Sequence, residues 1–142
     1  MTLLLIHAVA TGFMTGLIWF VQVVHYPLMA RVGMEDYRTY QLEHEQRTTR
    51  VVMPAMLIEM GCAVWLLFDR PEGVPGWMVS VGLGLLAIVW LSTACLQVPC
   101  HRQLESGFDT GIHHRLVTTN WIRTVCWSLR AVLAGGMLTL AC

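Results

Sequence analysis

The sequence predicts an all-α integral membrane protein, a four-transmembrane-helix bundle in a single domain covering residues 1–142. Three observations carry that expectation. The chain is 56% hydrophobic and only 13% charged, whereas a soluble domain is about a quarter charged, and its mean hydropathy is +0.59. Four stretches approach the roughly 20 apolar residues that a helix needs to cross the hydrocarbon core. The few ionisable residues inside them recur at helical spacing, and groups of that kind are costly in a bilayer unless they face one another.

The crossings are expected at about 3–29, 51–68, 76–98 and 116–141. Span one has no basic leader region and no small-residue cleavage site before Arg31, so it reads as a retained helix. Its Gly12-x-x-x-Gly16 step allows close helix approach, as do Gly82 and Gly84 in span three and Gly135 and Gly136 in span four. A helix over 37–50 leads into span two, where Pro54 is expected to kink the chain. Residues 69–76, rich in proline and glycine, form a tight turn. Trp77, Tyr26 and Trp121 fall near the expected interfaces, where amphipathic rings are favoured.

Four crossings leave both termini on one side. The polar segments 30–50 and 99–115 lie on the other, with Arg31, Arg38, Arg47, Arg50, Arg102 and Arg115. The positive-inside rule makes that side cytoplasmic, so the chain is expected to be a multi-pass inner (plasma) membrane protein with its termini outside. Net charge is zero and no basic stripe occurs, which excludes nucleic acid as a partner. The expected partners are the lipid bilayer, a lipophilic small molecule and further copies of the chain in a homo-oligomer. The five cysteines, Cys62, Cys95, Cys100, Cys126 and Cys142, form no C-x-x-C pair and read as small apolar side chains.

An internal echo suggests two pseudo-symmetric helical hairpins. Trp19, Gln22 and His25 near the end of span one resemble Trp90, Gln97 and His101 near the end of span three. His44-x-x-x-Thr48-Thr49 before span two matches His114-x-x-x-Thr118-Thr119 before span four.

Candidate chemistry gathers at the cytoplasmic end. Asn120, Arg123, Thr124, Trp127 and Arg130 are three or four residues apart and share one face of span four. Arg130 lies near mid-membrane, beyond easy snorkelling, and needs an interior partner. Glu59 is the only acid inside a span, at a depth that suggests pairing with Arg123. His7, Thr11, Thr15, Gln22 and His25 form a polar stripe on span one. His25-Tyr26-Pro27 and Gln97-Val98-Pro99-Cys100-His101 each put an imidazole at a proline-interrupted helix end. Of His113 and His114, which point apart, at most one can join a site. His25, His44, His101 and Glu59 supply nitrogen and oxygen donors suited to iron, copper or zinc, or to haem. Gln22 and Trp127 would line the cofactor, while Arg123, Arg130, Asn120 and Gln97 are the candidate catalytic residues. The Glu-x-x-His pairs of a di-iron bundle are absent, as are the zinc-protease, P-loop and Gly-x-Ser-x-Gly signatures.

The chain resembles the small four-helix bacterial membrane proteins that include the anthrone oxygenase-like family. The likeness lies in Gly16-x-x-Trp19 with His25-Tyr26-Pro27, in Pro99-x-His101-x-x-Leu104, and in Asn120-Trp121-x-Arg123 leading to Trp127-x-x-Arg130. It implies a membrane-embedded site open to a lipophilic aromatic or quinone-like molecule. Together these features favour a metal- or haem-dependent oxidoreductase or oxygenase-like enzyme acting on a lipophilic substrate. A small transporter or ion-conducting bundle, and an assembly subunit of a membrane complex, are the competing classes.

Overall fold

The computed structural model describes residues 1–141, which form helices and turns without a strand among them. Four long helices dominate: α1 (Thr2–Met29), α2 (Tyr37–Trp65), α3 (Gly76–Leu104) and α4 (Thr110–Ala141). Cys142 lies outside the described residues. Helices α1, α3 and α4 are long and apolar enough to cross a membrane. Helix α2 falls short. Its first half is charged, and it stops at Trp65, so Leu66-Leu67-Phe68, expected to complete span two, lie in the following turn. Pro54 sits on its exposed side, and the helix runs through it unbroken.

The helices form a ring with one weak seam. Helix α1 packs against α2 and α4, and α4 against α3, while contact between α2 and α3 is sparse. Three apolar layers fill the interior. Leu4, Leu66, Val79 and Met137 pack near the termini, Met14, Met56, Val89 and Trp127 across the middle, and Tyr26, Tyr37, Cys100 and Leu116 at the far end. The outside is apolar too: Val9, Phe68 and Val132 are 71%, 84% and 74% exposed. A surface of that kind suits hydrocarbon and not water. Gly73 closes the α2–α3 turn with φ +83°, and a Cβ there would strike the Leu140 carbonyl of α4. Only glycine meets both demands.

Two short π-helical segments interrupt the α-helical winding, Val21–His25 in α1 and Thr93–Gln97 in α3. Each precedes an X-Pro step, Tyr26-Pro27 and Val98-Pro99. Proline has no N–H to give to the preceding turn, and one widened turn absorbs the lost bond while re-aiming the side chains on it. The internal echo therefore has a structural counterpart, but in a different register. The matched π segments and prolines align His25 with Gln97, and His101 with Met29, one turn away from the His25–His101 match expected from spacing.

Candidate functional site

The face on α4 forms as its spacing predicts: Asn120, Arg123, Thr124, Trp127 and Arg130 are all buried. Arg130 ties all four helices together. Its Nε donates to Glu59 Oε1 of α2 at 3.0 Å, with Nη2 also 3.0 Å from that oxygen. Nη1 donates to the Gly82 carbonyl of α3, and Nη2 lies 3.2 Å from His7 Nε2 of α1. Glu59 accepts two further bonds, from Thr11 Oγ1 at 2.9 Å and Trp127 Nε1 at 3.0 Å. Its carboxylate is saturated. The ion pair expected between Glu59 and Arg123 is instead made with Arg130, because helix packing puts Glu59 two turns further along α4.

Arg123 is held differently. Its Nε donates to Asn120 Oδ1 at 2.9 Å, and Nη2 reaches the same oxygen. Nη1 lies 3.4 Å from Thr93 Oγ1, and Nη2 is 3.5 Å from the Tyr26 hydroxyl. Asn120 is braced in turn by donating to Gln22 Oε1 at 2.6 Å, and Gln22 donates to the Val117 carbonyl. No carboxylate pairs with Arg123 among the described residues. Its guanidinium lines a cavity of about 320 Å³. The walls are polar at one end, with Tyr26, His44, Glu45, His101 and Arg102, and apolar at the other, with Met14, Ile18, Met56 and Trp127.

The widened turn of α1 presents Tyr26 to this cavity. The sequence suggested an interface ring there, but Tyr26 is 2% exposed. Its hydroxyl lies 3.3 Å from His101 Nε2, while His101 Nδ1 is 3.0 Å from Gln41 Nε2. With Gln41 donating to Nδ1, the ring proton sits on Nε2 and points at the Tyr26 oxygen. That oxygen then accepts from both His101 and Arg123, which frees the hydroxyl proton to face the cavity. Gln41 also donates to Glu45 at 2.7 Å.

The three candidate ligand histidines do come together. The rings of His25 and His44 stack with centroids 4.4 Å apart and planes 23° apart, and His101 lies 5.7 Å from His44. Stacking of this kind puts the in-plane lone pairs of His25 and His44 in separate, near-parallel planes, so they do not converge on one ion. It leaves no gap between them for a haem. Both nitrogens of His101 have protein partners, His44 Nδ1 lies 3.1 Å from Thr48 Oγ1, and Glu59 is far off. Fifteen residues along α2 separate Glu59 from His44, about 22 Å at 1.5 Å per residue. No group of three or more His, Cys, Asp or Glu among the described residues could hold a metal ion. The donor set expected for a metal or haem does not fit one.

His44 lies outside the spans. Burial, and then the neighbouring His25, lower its pKa from 6.5 to about 4, so its imidazole is neutral at pH 7. Gln97 bonds Ser92 Oγ at 2.9 Å and Thr119 Oγ1 at 3.1 Å and lines the cavity beside Thr93. His113 caps the Tyr26 carbonyl at 2.9 Å, while His114 is exposed. Sequence reasoning missed Tyr26, Gln41 and Thr93 as site residues. Two signals were available: Tyr26 adjoins a mid-helix proline, and Gln41 shares the α2 face of His44 and Glu45.

Fold and site together define an all-helical protein with three helices able to cross a membrane and a half-polar cavity around a buried arginine that has no acid partner among the described residues. No protein-family model matches the chain, and no curated protein or solved structure is detectably similar to it.

Proposed function

We propose that the chain is a multi-pass membrane enzyme of the oxidoreductase or oxygenase-like class, acting on a lipophilic molecule that carries an acidic hydroxyl. The observation that carries this reading is Arg123: a buried cation on a cavity wall, with no carboxylate within ion-pair distance among the described residues. An isolated buried charge is expensive, and a ligand oxyanion would complete it. Fixed donors aimed at a developing negative charge are the strongest single device for lowering a barrier. Arg123, positioned by Asn120 and Gln22, holds the substrate oxygen as an anion. Tyr26 donates its free hydroxyl proton in a hydrogen bond to the same oxygen. His101, oriented by Gln41, holds the Tyr26 oxygen in place through its Nε2–H, and the phenol's own proton leaves to bulk water. A phenolate loses an electron far more readily than a phenol, so this step prepares the substrate for an electron acceptor such as dioxygen, in keeping with the anthrone oxygenase-like resemblance.

No step is assigned to a metal or haem, because the histidines do not offer a convergent donor set. The reading takes the Val51–Trp65 half of α2 as the fourth crossing, with the cavity near the cytoplasmic leaflet and both termini outside. Transport has less support, since Arg130 locks together the polar residues of the other half. Naphthol titrated in detergent with the purified protein tests the proposal. An opposite charge at close range lowers an acid's pKa by about one to three units, so bound naphthol should ionise that far below free naphthol. The shift should disappear in Arg123→Gln. Naphthol that ionises identically with and without the protein would refute the reading.

A further inference from the structure

The geometry points to a lateral mouth between α2 and α3, through which a membrane-resident phenol or quinol with a hydrocarbon tail reaches Arg123 from the lipid and leaves its tail in the bilayer. This rests on the reading of Arg123 as the contact for the head group, and adds the route and the shape of the ligand.

The weak seam of the ring carries the inference. Helices α2 and α3 are bonded directly at one level, where Gln41 Nε2 meets His101 Nδ1 at 3.0 Å and its carbonyl at 3.3 Å. Further along, Arg130 of α4 bridges them by holding Glu59 and Gly82. Between Gln41 and Glu59 lie about 27 Å of α2 at 1.5 Å per residue. Over that length no side-chain hydrogen bond joins the two helices among the described residues. The cavity lies behind this gap. Thr49 and Met53 of α2 and Val98 and Arg102 of α3 line it and are also exposed on the outer surface, so they form a rim shared by cavity and surroundings. Met53 and Val98 are 40% and 38% exposed, an apolar lip suited to acyl chains. Arg102 puts a cation at the polar end of the rim.

Behind the lip, Met14, Ile18 and Met56 offer an apolar floor, while Arg123 and Tyr26 offer one place for one oxygen. The apolar half of this opening, at Met53 and Val98, faces the lipid. A tailed phenol already resides there, and its tail gains little from burial because hydrocarbon is as apolar as the lip. The tail therefore sets the route, and the head sets the affinity.

The test uses a naphthol bearing a long alkyl chain with a diazirine on the chain carbons next to the ring, added to the full-length protein in phosphatidylcholine vesicles and photolysed. Adducts should concentrate on Thr49, Met53 and Val98 and fall about tenfold in Arg123→Gln, which loses the head-group contact. Untailed naphthol in excess should suppress them. Met53→Trp with Val98→Trp, which narrow the lip, should slow labelling of Thr49 about tenfold. Equal labelling of the outward Val125 and Val132 of α4 would overturn the mouth. So would adducts centred on Phe20 and Val51, which flank a separate groove between α1 and α2. A fatty acid probe that labels the lip more strongly than the naphthol would overturn the phenol head. The two levels fail separately: an ionisation shift without lip adducts removes only the mouth, while no shift removes the site reading beneath it.

Discussion

Arg123 and Arg130 stand two turns apart on one face of α4, are 8% and 1% exposed, and differ in almost everything that decides their roles. Arg130 is neutralised by Glu59 and bonded to all the other helices. Arg123 is held by amides and hydroxyls alone and borders open space. Removing a buried charge from water costs several kcal/mol even after relaxation. At Arg130 that cost is offset by a saturated ion pair within the fold, and at Arg123 it is left to be offset by something the fold does not contain. Depth and burial do not separate a structural arginine from a functional one. The counter-charge does.

The largest effect should come from unbalancing Arg130. Glu59→Gln leaves a buried cation without its anion, and breaking such a pair costs about 3–5 kcal/mol. Detergent melting should show that loss, and a Glu59→Leu, Arg130→Leu double variant should recover most of it. If Glu59→Gln melts like wild type, the two arginines are not different in kind.

Arg123→Met should behave in the opposite way. It removes an unneutralised buried charge, worth several kcal/mol of desolvation, at the expense of leaving Asn120 Oδ1 short of a donor, about 1–3 kcal/mol. Stability should hold or rise while the naphthol shift vanishes, the trade expected where a strained site is kept for function. A loss as large as that of Glu59→Gln would make Arg123 structural.

How much of this was legible follows from the same pair. A period of three to four residues identified the α4 face without knowledge of its neighbours. The partner of Glu59 did not follow, because periodicity fixes direction around a helix and not the slide of one helix against another. Two turns of slide, about 11 Å, decide between Arg123 and Arg130. That His25, His44 and His101 share one end was legible because loops and helix ends fix which side a residue is on. Their ring geometry, which parts them from a metal site, depends on the π segments. Pro27 and Pro99 mark those segments, but not the extra residue each one inserts. Span two was over-read because its apolar run continues past Trp65, where the helix has already turned.

A smaller effect should come from Tyr26→Phe. One hydrogen bond is worth about 0.5–1.5 kcal/mol, which corresponds to at most about one pKa unit. The naphthol shift should therefore shrink by up to about a unit and persist, since Arg123 remains. Complete loss would move the main role from the arginine to the tyrosine.

The smallest effect concerns pH and keeps Arg123 the lone charge at the deep end of the polar wall. His44 faces His25, Tyr40 and His101 and has Thr48 on its Nδ1. Its pKa is lowered to about 4 from 6.5 by burial and then by His25. Between those values the unfolded chain binds a proton there and the folded chain does not, so stability falls as pH drops from about 6.5 towards 4. Above 6.5 this contribution is complete and constant. His44→Asn, which cannot titrate, should flatten part of that slope in melting curves taken from pH 7 to pH 5. A slope unchanged in His44→Asn would mean that His44 titrates alike in the folded and unfolded chain, so that towards pH 5 it adds a positive charge to the cavity wall beside Arg123 and Arg102.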